Sequence, residues 1–225
     1  MSSSILIGQS ARSASISTVT AAASSHDMTT LSVVKAELGI TDTNSDEILS
    51  RYISEGSAAV ENFCNRVLVV ETVKDQFWPQ RDPQFQIAIQ GVDQVQLSRW
   101  PVISVSSVVE DGLTLTVDTD FVVDAARGSL IRLDSNGYPT RWPAVAISAT
   151  FQAGYATIPA DVSAALIRMV SQRWFAKGRD PSLRGETIPG VYSAQYWVSA
   201  GAGSSGNLTP DVADLLENYR VPVVA

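Results

Sequence analysis

The 225-residue sequence predicts an α+β protein: a small helical bundle with an inserted antiparallel β region and extended N- and C-terminal arms. Three observations carry this reading. Apolar residues recur at three- and four-residue steps from Ile48 to Phe63 and again from Val162 to Trp174, the spacing of a helix face. Between those stretches, from Val67 to Phe151, short β-branched runs alternate with turn residues. At both ends the chain is rich in small residues and poor in large apolar ones.

Residues 1–28 form a Ser/Ala-rich arm whose only sizeable apolar groups before Met28 are Ile5, Leu6, Ile7, Ile16 and Val19. Such a segment cannot offset its ordering entropy by burial. Alone it is expected to be mobile, either as a dispensable tail or as an arm that orders on a neighbouring subunit. A core spanning 29–178 follows. Thr29 or Thr30 caps a short helix carrying Leu31, Val34 and Leu38, and Gly39 stops it. Asn44 and Glu47 are spaced as a capping box for a second, longer helix. Its stripe is Ile48, Leu49, Tyr52, Ile53, Gly56, Ala59, Val60 and Phe63, and its small residues permit close approach of another element.

The β region, about 67–152, is expected to hold five to seven short strands: Val67–Val70, Phe85–Ile89, Val102–Val105, Phe121–Val123, Leu130–Leu133 and Val145–Ile147. Asp111-Gly112 suits a tight hairpin because both residues tolerate positive φ. Ala126-Arg127-Gly128-Ser129 and Asn136-Gly137 mark further turns. Helix resumes at Pro159 or Asp161, buries Val162, Ala165, Leu166, Met169, Val170 and Trp174, and ends by Gly178. Residues 179–225 form a C-terminal arm in which Tyr192, Tyr196 and Trp197 stand among Gly, Ser and Pro. A short helix capped by Thr209, with Pro210 at its first position, closes it.

Composition excludes several functions. Sixteen Lys+Arg against 23 Asp+Glu give a net charge of −7, opposed to a general nucleic-acid coat. One Cys and one His leave no intrachain disulfide and no Cys/His zinc set. Cys64 reads as a small buried hydrophobe, and His26 has no evident acidic or nucleophilic partner in the sequence. No apolar run is long enough to span a bilayer, and the first residues lack an export signal, so a soluble cytoplasmic product is expected.

Motifs with chemical meaning are few. Gly201-Ala202-Gly203-Ser204-Ser205-Gly206 has dinucleotide-loop spacing but neither the preceding strand nor a helix opening on its last glycine. Asp42–Asp46 begins like a calcium loop, yet Glu47 and Ile53 occupy the positions that need Gly and a bidentate Glu. Asp118, Asp120 and Asp124 fall near turns, where Asp commonly stabilises the loop. No nucleophile–base–orienter set is present, and no cofactor or metal is expected. Arg168, Arg173, Lys177, Arg179 and Arg184 form a basic cluster suited to a helix dipole or to salt links.

The order of the segments resembles the phage head–tail connector (adaptor) family. The resemblance runs through Leu31–Ile40, the helix ending Val60-Glu61-Asn62-Phe63-Cys64-Asn65-Arg66, and Pro101-Val102-Ile103-Ser104-Val105 before the Asp111-Gly112 turn. It continues through Ala153-Gly154-Tyr155 with Pro159-Ala160-Asp161 and closes with Leu215-Leu216-Glu217-Asn218-Tyr219-Arg220. It covers about residues 29–221 and leaves the N-terminal arm outside.

The resemblance implies a non-enzymatic virion protein of the neck, at the tail vertex of the capsid, made in the host cytoplasm. It implies a closed ring, usually dodecameric, beneath the portal protein, with a stopper or tail protein below. Double-stranded DNA would pass through the lumen without specific binding, and no membrane is involved. Beside it, the residues themselves place Tyr192, Tyr196, Trp197, Leu215, Leu216, Tyr219 and Arg220 at the contact with the portal or a neighbouring subunit, because aromatic anchors dominate interface energetics. A different neck or tail-completion protein, and a ligand-binding β module, are the alternative readings.

Overall fold

The computed structural model describes residues 14–79, 91–177, 185–189, 192–195 and 208–222. The chain divides into two compact units. One comprises residues 1–23 and 70–156, the other residues 24–69 and 157–225. The architecture is α+β, with the antiparallel β unit, all but its first strand, inserted between the second and third helices of the helical unit.

Nine strands are described in the β unit: β1 (Ala14–Ala21), β2 (Glu71–Trp78), β3 (Val95–Gln96), β4 (Val102–Glu110), β5 (Leu113–Leu115), β6 (Phe121–Asp124), β7 (Ser129–Leu133), β8 (Pro139–Thr140) and β9 (Ile147–Ala153). Five make an antiparallel sheet in the order β1-β2-β9-β4-β5. The second sheet runs β3-β7-β6, with β8 on β7. Alternation is clear in the first sheet. In β2, Val73 and Asp75 turn inward while Thr72, Lys74 and Gln76 are only half-buried, and β9 buries Ile147, Ala149, Phe151 and Ala153. Val73 and the four β9 residues meet Leu130, Phe121, Val95 and Trp142 of the second sheet and its loops in a single core.

Asp111 (φ 47°) and Gly112 (φ 85°) form the two-residue β4–β5 turn, with Glu110 opposite Leu113. The other two turns also fall where expected: the 125–128 loop joins β6 to β7, and the 134–138 loop joins β7 to β8. Val67–Val70 is not a strand. Leu68 and Val69 are buried in the helical unit, and pairing begins at Glu71, where apolar and polar residues start to alternate. The Phe85–Ile89 segment lies outside the described residues.

Residues 14–21 depart most from expectation. The arm predicted to be mobile forms β1, which pairs with β2 from Ala14 opposite Trp78 to Val19 opposite Val73. The missing driving force is supplied by backbone pairing to a strand more than fifty positions away, a contact that local composition does not express. Further on, the backbone N–H of Ala23 donates to the buried Glu71 carboxylate, which also pairs with Arg99.

The helical unit contains α1 (Leu31–Leu38), α2 (Asp46–Cys64), α3 (Ala160–Phe175) and α4 (Pro210–Leu216), with a 3₁₀ turn at Glu217–Tyr219. It also holds a two-stranded hairpin, β10 (Gly185–Ile188) and β11 (Tyr192–Gln195). The hydroxyl of Thr30 accepts from Val33 N–H, and Gly39 ends α1 in the left-handed conformation. The capping box is absent: Ser45 is the residue before α2 and makes no side-chain cap. Instead the Asp42 carboxylate accepts from Asn44 N–H, and Lys35 Nζ donates to Asp46 Oδ1 at 2.6 Å. The calcium-like residues are thereby occupied with turn and ion-pair duties.

Along α2, Leu49, Tyr52, Ile53, Gly56, Ser57, Val60 and Cys64 are buried. Gly56 is a true close approach, since a Cβ there would stand 2.5 Å from Leu166 Cδ1 of α3. α3 buries Val162, Ala165, Leu166 and Val170, whereas Met169 and Trp174 are only partly covered, and the helix ends at Phe175. His26 has an acidic partner after all: its Nδ1 lies 3.0 and 3.1 Å from the two Glu61 oxygens. Among the described residues no helix is long and apolar enough to cross a membrane.

Candidate interaction surfaces

The seven residues expected to bind a partner separate into three groups. Leu216 is fully buried within the chain's own helical unit, beside Val212 and Ala213, so it serves the core and not a surface. Its burial follows from the amphipathic spacing of α4, which packs on α3. Leu215 is half-buried. The Tyr219 hydroxyl donates to Asp161 Oδ2 at 3.2 Å, and Arg220 is exposed, with its guanidinium 5.1 Å from the Phe63 ring centroid. Tyr192 stands in β11 opposite Ile188. Tyr196 and Trp197 lie outside the described residues, as does the glycine motif at 201–206.

Residues 208–222, within the expected C-terminal arm, are folded against their own chain. Leu208, Val212, Ala213 and Leu216 are buried, and the N–H of Val221 donates to the carbonyl of Cys64 at 2.9 Å. Thr209 occupies the cap position of α4, but its hydroxyl bonds the Asp211 carboxylate. That bond, aided by Arg168 at 3.5 Å, holds the Asp211 carboxyl below its ordinary range. Of the basic cluster, Arg168 pairs with Asp211, and Arg173 pairs with Glu55 while lying 4.4 Å from the Tyr52 ring centroid. Those links are intrachain. Arg179 and Arg184 lie outside the described residues.

One end of the β unit carries a hollow of about 690 Å³ whose lining includes Glu110, Asp118, Asp120, Arg132, Asp134 and Arg141. Arg132 is its central group. It bonds Glu110 at 3.0 Å, donates to the Asp120 carbonyl at 2.6 Å, and lies 5.9 Å from the Trp142 ring centroid. Two of the three carboxylates expected to stabilise turns do so: Asp120 accepts from Thr116 N–H, and Asp124 accepts from Arg127 N–H; Asp118 takes part through its backbone, at φ 62° with its N–H donating to the Phe121 carbonyl. Every described buried side-chain polar atom has a partner, and no metal-ligating cluster occurs among the described residues. The hollow is a loop junction with more carboxylates than guanidiniums in its lining, and its central arginine is already engaged by Glu110 and the Asp120 carbonyl.

Sequence reasoning missed the exposed apolar tips. Leu113 on the β4–β5 hairpin and Tyr138 beyond the Asn136-Gly137 turn are each 70% exposed, and Phe175 at the end of α3 is 75% exposed. Leu113 was legible from its place just past a tight turn. Phe175 was not, because it follows Trp174 in a helix with apolar residues on several sides.

The fold class is that of a two-unit α+β chain, a helical unit joined to an antiparallel β unit. Two comparisons point within that class. Residues 28–96 match the family model of phage gp6-like head–tail connector proteins. The fold is similar, over 93% of this chain and 97% of the other, to a chain in the neck of an empty gene transfer agent (GTA) particle computed with C6 symmetry, at a TM-score of 0.53 and 17% identity. It is equally similar, at a TM-score of 0.53 and 16% identity, to a chain from the virion of a native GTA particle, with the same coverage. No curated protein matches the sequence significantly. Motif order and the match over residues 28–96 liken the chain to the phage head–tail connector family, and its fold is like that of a chain in a GTA particle.

Proposed function

We propose that this protein is a structural, non-catalytic subunit of the neck of a phage-like particle. Copies close into a ring that docks on the portal, extends the DNA channel and offers an attachment surface to the next neck or tail protein. What supports the reading above all is the fold likeness to a neck chain along nearly the whole length, joined to the connector-family match over residues 28–96. Ring closure requires one patch to complement a different patch on the next copy. The net charge of −7 suits a lumen past which DNA slides without adhering.

In this reading Tyr192, Tyr196, Trp197, Leu215, Tyr219 and Arg220 contact the portal or a neighbouring subunit, and truncating an aromatic anchor costs ~2 kcal/mol or more of binding. Electron microscopy of the purified protein, alone and mixed with portal, tests it. A ring stacked coaxially on the portal is expected. Binding to a tail tube instead of the portal would favour a tail-completion protein, and failure to bind either would overturn the proposal. The Tyr196→Ala/Trp197→Ala variant is expected to lose portal binding with its melting temperature unchanged.

A further inference from the structure

We infer that the free edge of β1 pairs, antiparallel, with the β1 edge of a second copy of this chain, joining two five-stranded sheets into one. β1 bonds β2 on one side and, among the described residues, no strand on the other. Residues 15–21 are all exposed, Ile16 to 56%. About half of the strand's backbone donors and acceptors point away from β2, ready for another strand.

Edge strands are ordinarily blunted by charge, proline, shortness or a bulge. The opposite edge of this sheet obeys the rule, since β5 has three residues. β1 does not. It is eight residues long with no charge and no proline, and its bulge falls between Val19 and Ala21, leaving Ala14–Val19 in regular register. Its side chains are Ser, Thr, Ile, Val and Ala, the hydroxyl and β-branched types that pair well across strands.

Two features select a second β1 as the occupant. A two-fold centred on Ser17 or Thr18 brings no like charges together and sets Ile16 opposite a threonine of the second copy. Head-to-tail repetition would set β1 against β5 instead. Because five strands alternate in direction, those two edges run the same way, and the junction would be a parallel pairing on only three residues. One strand per copy buries less than a stable dimer interface needs, so the pairing is weak and reversible. The inference is independent of the ring reading, because a ring closes through two different patches and this contact uses one patch twice.

The full chain is examined by sedimentation velocity over a concentration series and by cross-linking with a short bismaleimide. A concentration-dependent dimer is expected, weakened roughly tenfold by Thr18→Glu, whose charge faces Lys74 of β2 within the chain and so leaves the thermal melt unchanged. Thr18→Cys protein is expected to cross-link to itself, whereas Thr114→Cys protein on β5 does not; the buried Cys64 leaves the unmodified chain unreactive. Absence of a dimer at the highest soluble concentration overturns the inference. So does a dimer untouched by Thr18→Glu, or a mixed Thr18→Cys/Thr114→Cys product in place of the Thr18→Cys homodimer. A larger ring that persists in Thr18→Glu while the dimer step disappears supports the inference and leaves the ring reading standing.

Discussion

The Nε of Arg132 on β7 lies 3.0 Å from Oε2 of Glu110 on β4, so one ion pair ties the two sheets of the β unit together. Both side chains are largely withdrawn from water, and the same guanidinium also donates to the carbonyls of Asp120 and Leu133. Removing either partner strands the other charge in a poorly solvated place.

Arg132→Met is therefore expected to destabilise the protein by about 2–3 kcal/mol. Adding Glu110→Gln to it should restore part of that loss, because the double variant buries no unpaired charge. Urea denaturation of the two single variants and the double variant measures the coupling; strictly additive losses would contradict the pairing.

Gly56 provides a second test. Gly56→Leu forces its side chain into Leu166 and is expected to cost about 1–3 kcal/mol by overpacking. Leu166→Ala in the same chain vacates that volume, so the double variant should be more stable than the sum of the two changes predicts. Thermal melts of all three variants decide it.

Leu216→Ala distinguishes a core role from a surface one. Because Leu216 is fully buried, its truncation is expected to cost about 2–4 kcal/mol of folding stability. Arg220→Ala, at an exposed position, should leave the melt nearly unchanged. A Leu216→Ala protein with wild-type stability would return that residue to the interaction surface.

Burial pushes the Cys64 thiol up to about 11 from an ordinary value of 9.0. The unfolded thiol ionises first as pH rises, while the folded one stays protonated. Stability from this group is present in full below pH 9 and is lost between pH 9 and 11. The loss is on the order of 2 kcal/mol. Cys64→Val is expected to lack this alkaline decline, as measured by chemical denaturation across that range.

Legibility in the sequence followed the range of the interactions. α1, α2, α3, α4 and the Asp111-Gly112 hairpin were readable because caps, helical stripes and turn residues act over a few positions. β1 was unreadable because its stabilising partner, β2, lies far along the chain. The Glu61 partner of His26 and the Asp75 contacts to Ser98 were hidden for the same reason. At the proposed contact surface, the sequence marked Leu215 and Leu216 alike, yet α4 turns the second fully inward and leaves the first half-covered. A seven-residue helix has too few turns for periodicity to separate those two faces.

The chain crosses between its two units near residues 23, 69 and 156. During synthesis α2 leaves the ribosome well before α3, and the whole 70–156 segment must be translated in between. At typical elongation rates that delay is on the order of 4–17 seconds. Throughout it the apolar stripe of α2 has no α3 or α4 to cover it, so a nascent chain of this topology spends its youth as a natural client for chaperones.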